Sequence, residues 1–187
     1  PEIRDRLRKI LGLEGKKVLV YAGSLTEHQQ PKQMVTLFKK LISSDPKFHF
    51  LLMVPKNYLN EAKSMMSVFS SSSFTILSVK HSMVPVILSS ADIGIMLRAP
   101  SLVNLVSSPT KFSEYLASGL PVISTSHVGD SSDVIRKYSV GLILEDDSIS
   151  DFEVDNLDKI LKFKDKNLLF ELVEKNRLWS SYSNLII

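Results

Sequence analysis

The chain has 187 residues, 44% of them hydrophobic, a formal net charge of +3 and no cysteine. That length and apolar content suffice for a substantial core in one domain, and the small charge, spread without a basic run interleaved with aromatics, points away from nucleic acid. The lack of cysteine removes disulfide and thiolate chemistry and fits a reducing cytosol. No apolar run is long enough to span a bilayer, and no signal peptide is visible.

In chain order, residues 1–11 place Ile3, Leu7, Ile10 and Leu11 on one helical face. KKVLVYAGS then carries a near-continuous apolar run ending at Gly23, as expected of a strand buried on both faces. Residues 31–44 predict a helix with Met34, Val35, Phe38, Leu41 and Ile42 inward, 48–54 a second strand and 57–69 a second helix. The serine run 70–73 reads as a solvated connection, and 74–79 as the third strand. A short helix over 83–90 accommodates Pro85 in its first turn, and 91–98 is the fourth strand. An irregular loop over 99–109 leads to a helix over 109–118, a strand over 120–124, a helix near 130–138 and a strand over 140–144. The tail from 150 reads as two helices. Buried strands alternating with helices predict an α/β fold, a Rossmann-like, doubly wound parallel sheet of about six strands with C-terminal helices. Residues 1–187 form a single domain in this reading, with a helical tail over 150–187. Ligands of such sheets sit beyond the carboxyl ends of the strands, so the loops that begin at Gly23, Val79 and Arg98 are the ones that matter.

The densest signal is SPTKFSEYLASGLPVIS, 108–124. Ser108 is a candidate N-cap and Pro109 suits the first helical position; Phe112, Tyr115 and Leu116 form the buried face, and Gly119 suits the left-handed stop. Thr110, Lys111 and Glu114 fall on another face. A lysine and a carboxylate beside an open helix N-terminus can hold a phosphorylated sugar nucleotide: the helix end and the lysine face the phosphates, and the carboxylate accepts from ribose hydroxyls.

This stretch resembles the donor-binding segment of the family-4 glycosyltransferases, the glycosyl transferases group 1. Their pattern is a glutamate, seven residues, a second glutamate, a small-residue helix end and G-x-P-V-[IV]. Glu114 matches the second glutamate and ASGLPVI the tail, while Val106 stands where the first glutamate falls. The resemblance extends through VLVYAGSL, VKHSMVPVILSSADIGI, YSVGLIL and NRLWSSYSNLI to nearly the whole chain. The S-P-T-K loop looks like a subgroup seen among bacterial surface-polysaccharide enzymes.

The resemblance implies the C-terminal, nucleotide-binding half of a GT-B enzyme. The chain, which starts at Pro1, is then expected to be part of a longer protein whose other half supplies the acceptor site. The function implied is a retaining transferase that moves a sugar from a nucleotide diphosphate donor to a sugar or lipid-linked acceptor. The setting would be surface polysaccharide or lipopolysaccharide synthesis, in the cytoplasm or peripheral to the inner face of its membrane. Hexosyltransferase activity is expected of the full-length protein and none of the isolated domain.

The donor-binding residues implied are Gly23 and Ser24 after the first strand, Val79 and Lys80 after the third, Arg98 after the fourth, and Ser107, Ser108, Pro109, Thr110, Lys111 and Glu114. Ser24 replaces the usual arginine and Gln29 stands near the usual lysine, although Lys32 is close, and Lys111 is the residue expected to compensate. The alternative for Lys111 is a surface lysine opposing the helix dipole, and for Glu114 an exposed acid paired with Lys111. His81 and His127 are further loop candidates. No cofactor and no metal are expected, since no His or carboxylate cluster has ligand spacing and Asp146-Asp147 reads as an acidic turn. Two other classes stay open: a nucleotide-sugar epimerase of the GT-B fold and a non-catalytic α/β binding module.

Overall fold

The computed structural model describes residues 2–126, 128–145, 149, 152–163 and 165–176. His127, Asp146-Asp147 and the segment from 177 onward, each singled out above, lie outside the described residues. Six parallel strands form one sheet in the order β3-β2-β1-β4-β5-β6. They are β1 (Lys17–Ala22), β2 (Phe48–Met53), β3 (Phe74–Leu77), β4 (Ile93–Met96), β5 (Val122–Thr125) and β6 (Gly141–Leu144). The connecting helices are α1 (Glu2–Ile10), α2 (Pro31–Ser44), α3 (Leu59–Met66), α4 (Val84–Leu88), α5 (Leu102–Leu105), α6 (Thr110–Ala117), α7 (Ser131–Tyr138), α8 (Asp155–Leu161) and α9 (Lys166–Asn176).

The period-two alternation of a strand sorts its side chains into two layers. Leu19 and Tyr21 of β1 join Phe50 and Leu52 of β2 against Phe38 and Leu41 of α2, Met66 of α3 and Leu157 of α8. Val18 and Val20 join Leu51 and Met53 against Leu88 of α4, Phe112, Tyr115 and Leu116 of α6, Ile135 of α7 and Leu172 of α9. The continuous apolar runs in the sequence reflect this: β1 and β2 are covered on both faces. The two tail helices divide, one to each layer.

Four expectations are corrected. Ile3 and Ile10 are 69% and 77% exposed rather than buried, while Leu7 and Leu11 are partly buried. The first helix is anchored chiefly by charge: Arg4 and Arg8 pair with Asp92 and donate to the carbonyls of Ser89, Ser90 and Ala91 at the entry to β4. Asp92 in turn accepts from the Val18 amide, 2.7 Å away, which ties α1 to the starts of both β1 and β4. The loop 99–109 contains α5, capped by Ser101 and pinned by the buried Asn104, whose amide donates to the Ala99 carbonyl at 2.7 Å. Helix α6 starts at Thr110 with Pro109 as its cap residue, so Ser108 lies outside it and Lys111 is second in the helix. The fifth strand begins at Val122, because Gly119 (φ +72) and Leu120 still close α6 by bonding to Leu116 and Tyr115. The serine run forms a short 3₁₀ turn capped by Ser70.

Burial holds His49, on β2, neutral: desolvation, helped by Lys16, brings its pKa from 6.5 down to about 4. The unfolded chain takes up that proton below its ordinary pKa, so the stabilisation is whole above about pH 6.5 and is lost as the pH falls toward 4. Up to about 3 kcal/mol is involved. Urea melts between pH 7 and 4 should show this slope in the parent and a flatter one in His49→Gln.

Candidate functional site

The strand order reverses between β1 and β4, which is where doubly wound sheets open a crevice beyond the carboxyl ends of their strands. These two strands pair only at Leu19↔Ile93 and Val20↔Gly94. Beyond that point the Tyr115 hydroxyl takes over, accepting from the Ala22 amide at 3.0 Å and donating to the Ile95 carbonyl at 3.1 Å. Its ring packs closely on β4 because position 94 is glycine: a Cβ there would stand 2.6 Å from the ring. Complete burial raises the Tyr115 pKa well above its ordinary value, so the hydroxyl stays protonated and able to donate.

A cleft of about 410 Å³ opens at this edge. Ala22 and Gly23 form its floor, and Met53, Val54, Pro55, Val79, His81 and Val84 form a largely apolar side; Thr110, Lys111 and Glu114 of α6 face them. Of the sequence-derived candidates, the cleft thus brings together Gly23, Val79, Thr110, Lys111 and Glu114. Ser24, Lys80, Arg98, Ser107, Ser108 and Pro109 are not among its walls. The Ser24 carbonyl accepts from the Tyr21 hydroxyl, the Ser107 hydroxyl donates to Asn104, Pro109 is buried, and Lys80 and Ser108 are exposed.

Lys111 springs from the helix layer containing Tyr115 and crosses the end of the sheet to the opposite layer. Its ammonium lies 4.3 Å from the centre of the Tyr21 ring and donates to Gln29 Oε1 at 2.9 Å. A cation over an aromatic face is attracted by the ring quadrupole. Gly23 makes this position possible: it has φ +150, and a Cβ on it would fall 2.7 Å from the ammonium nitrogen. Desolvation, then the positive charge of Arg98, lowers the Lys111 pKa from 10.5 to about 7, with Glu114 opposing the shift. Arg98 itself is lowered by burial, and its Nε is buried without a hydrogen-bond partner. Glu114 has His81 Nε2 as its ion-pair partner at 3.9 Å. Two crowded cations and an open helix N-terminus make an electrostatic environment that an anion relieves.

Tyr21 and Tyr115 are the residues that sequence reasoning did not place in the site, and for Gln29, set near the family's usual lysine, it gave no contact with Lys111. Tyr21 and Tyr115 fall in apolar patterns that explain them as core, and Gln29 meets Lys111 across 82 residues of sequence. Among the described residues no group of three or more His, Asp or Glu side chains is arranged to hold a metal ion, and no helix is long and apolar enough to cross a membrane.

The sequence profile of the glycosyl transferases group 1 matches residues 3–179. No curated protein matches the chain. Among solved structures, the C-terminal domain of the group 1 glycosyl transferase LpcC from Francisella tularensis superposes with a TM-score of 0.69 at 16% identity, covering 92% of each chain. WaaG, a glycosyltransferase involved in lipopolysaccharide biosynthesis, gives 0.65 at 15% identity over 99% of this chain and 50% of its own. Anabaena HepE, solved in complex with UDP and glucose, gives 0.63 at 15% identity over 95% of this chain and 44% of its own. The chain therefore spans about half the length of the last two, and at these identities the likeness is one of fold.

The electrostatics can be read directly. In the ligand-free protein the ¹³Cε resonance of Lys111 should titrate with a midpoint of about 7, and Arg98→Met should move that midpoint upward. A midpoint in the ordinary lysine range would place the ammonium in solvent.

Proposed function

Because this chain belongs to the glycosyl transferases group 1 family, we propose that it is the nucleotide-sugar donor-binding half of a retaining, family-4-like glycosyltransferase. The observation that carries this reading is the meeting of Gly23, Lys111, Glu114 and the α6 N-terminus in one cleft at the reversal of strand order. The apolar side, with Val79, Met53 and Val84, suits a flat base. Glu114 lies on the opposite wall, where a carboxylate accepts from the vicinal hydroxyls of a ribose. The diphosphate then falls between Gly23 and the start of α6. There Lys111 and the helix amides face it, with Arg98 adding positive charge from beside Lys111. The UDP and glucose in the Anabaena structure support this choice of ligand class.

In the full-length enzyme these groups would act by positioning the donor and by stabilising the departing diphosphate as charge develops on it. The acceptor, a sugar or a lipid-linked sugar, would be held by the other half, so this chain alone should not turn over. Service in bacterial surface polysaccharide or lipopolysaccharide assembly, at the cytoplasmic side of the membrane and without a metal cofactor, completes the proposal.

Titration calorimetry with UDP and GDP tests it. One of them should bind, weakly, and equally well in EDTA; no binding at millimolar nucleotide overturns the reading. Glu114→Ala should weaken binding about tenfold, the loss of one charge-assisted hydrogen bond, with little change in the unliganded melting temperature. Binding should also be linked to protons. An arriving diphosphate favours the charged lysine, so above pH 7 each complex takes up a proton and affinity falls as the pH rises. Lys111→Met should lose affinity for UDP, keep its affinity for uridine and abolish that pH dependence.

A further inference from the structure

Gln29 is buried, yet its side chain points at the cleft's cation rather than into the apolar layer beneath. Its amide oxygen accepts from Lys111 Nζ at 2.9 Å and stands 3.2 Å from the Tyr21 hydroxyl, whose one proton goes to the Ser24 carbonyl. The backbone that carries it is constrained on both sides. Residues Glu27–Gln29 form a 3₁₀ turn closed by the bond from Gln29 N to the Thr26 carbonyl, 2.8 Å long, and Gln30 follows in the left-handed region at φ 49. The turn is also tied to the segment after β4, through the Ala99 amide and the His28 carbonyl at 3.1 Å.

A lysine side chain has four rotatable bonds, and beside an open cleft its ammonium gains hydration by swinging outward. Two contacts prevent this. The Tyr21 ring supports the ammonium from one side, and the Gln29 oxygen terminates it. The chemistry of that second contact matters. A carboxylate in the same place would neutralise the lysine and repel an incoming anion. An amide oxygen orients the ammonium and leaves its charge unspent.

We propose that Gln29 is a positioning residue that holds the Lys111 ammonium over Gly23, so that the charge is in place before a diphosphate arrives. This rests on the donor-binding reading above. It adds that the cation facing the phosphates is a two-part unit, with the charge on α6 and its director on the turn after β1.

The test uses the purified chain and four proteins: parent, Gln29→Met, Lys111→Met and the double variant. Methionine keeps the length of the buried side chain and removes the acceptor. Gln29→Met should weaken UDP binding about three- to tenfold, leave uridine binding unchanged and lower the pH midpoint of UDP binding. In the Lys111→Met background the same substitution should cost nothing further, whereas a merely structural role would cost the same in both backgrounds. Unchanged UDP affinity in Gln29→Met, or an equal loss in the two backgrounds, overturns the proposal.

A ligand-free measurement separates it from the functional reading. The ¹³Cε titration of Lys111 should move to lower pH in Gln29→Met and to higher pH in Gln29→Glu. The second variant retains the acceptor and the shape should the first fail to fold. If the resonance moves in this way while the parent binds neither UDP nor GDP, the positioning role stands and the donor assignment falls. If the parent binds nucleotide and the resonance does not move, the positioning role falls alone.

Discussion

The site depends on one hydroxyl. Where β1 and β4 cease to pair, the Tyr115 oxygen replaces the missing rungs by bonding to a backbone group on each strand. A buried amide and a buried carbonyl left without partners would each cost about 1–3 kcal/mol, so the bridge is what permits two central strands to separate inside a core. The separation produces the crevice, and the same helix that delivers Tyr115 delivers Lys111 and Glu114 to its wall. Gly94 makes this geometry possible, since any side chain there would push α6 away from the sheet. Position 94 and position 115 are therefore a single structural decision, and the cleft is its result.

Around that bridge the charges are arranged at some expense. Lys111 is brought among groups that disfavour its protonation, with Arg98 nearby. Aromatic support from Tyr21 and the amide of Gln29 offset part of this, and Glu114 offsets more. The unliganded cleft thus holds crowded cations that burial disfavours, the arrangement on which the donor-binding proposal rests. The two layers of the fold meet here as well, because the lysine stands on a helix of one layer and its tyrosine belongs to the other.

Much of this was legible in the sequence, and the limits follow from physics. The strand runs of β1 and β2 announced themselves because both faces are buried, and the helix end at Gly119 because few residues tolerate its backbone angles. Lys111 and Glu114 stood out through their place near a helix start. The face of α1 was misjudged because periodicity registers apolar residues and not the long arm of an arginine; Arg4 and Arg8 do the docking while Ile3 and Ile10 face water. The start of α6 slipped because serine and proline both suit the first turn, and only the fold around them decides the register. Helix α5 is a single turn defined by Ser101 and Asn104, too short for any period to show. The bridging role of Tyr115 and the contact of Gln29 with Lys111 were invisible because their partners are distant in sequence. Val106, set against the family's first glutamate in the sequence reading, is 83% exposed and takes no part in the core.

The division of the tail between the layers bears on how the chain assembles. Leu157 and Ile160 complete one face of the sheet, and Leu169, Leu172 and Val173 complete the other. All six strands precede them in the chain, so during synthesis the sheet can pair while each of its faces still lacks one of its covering helices. Apolar surface then remains available on two sides until the last turns emerge. A nascent chain halted before residue 155 would be fully stranded yet sticky on both faces, a natural client for chaperones and a poor candidate for shortening from that end.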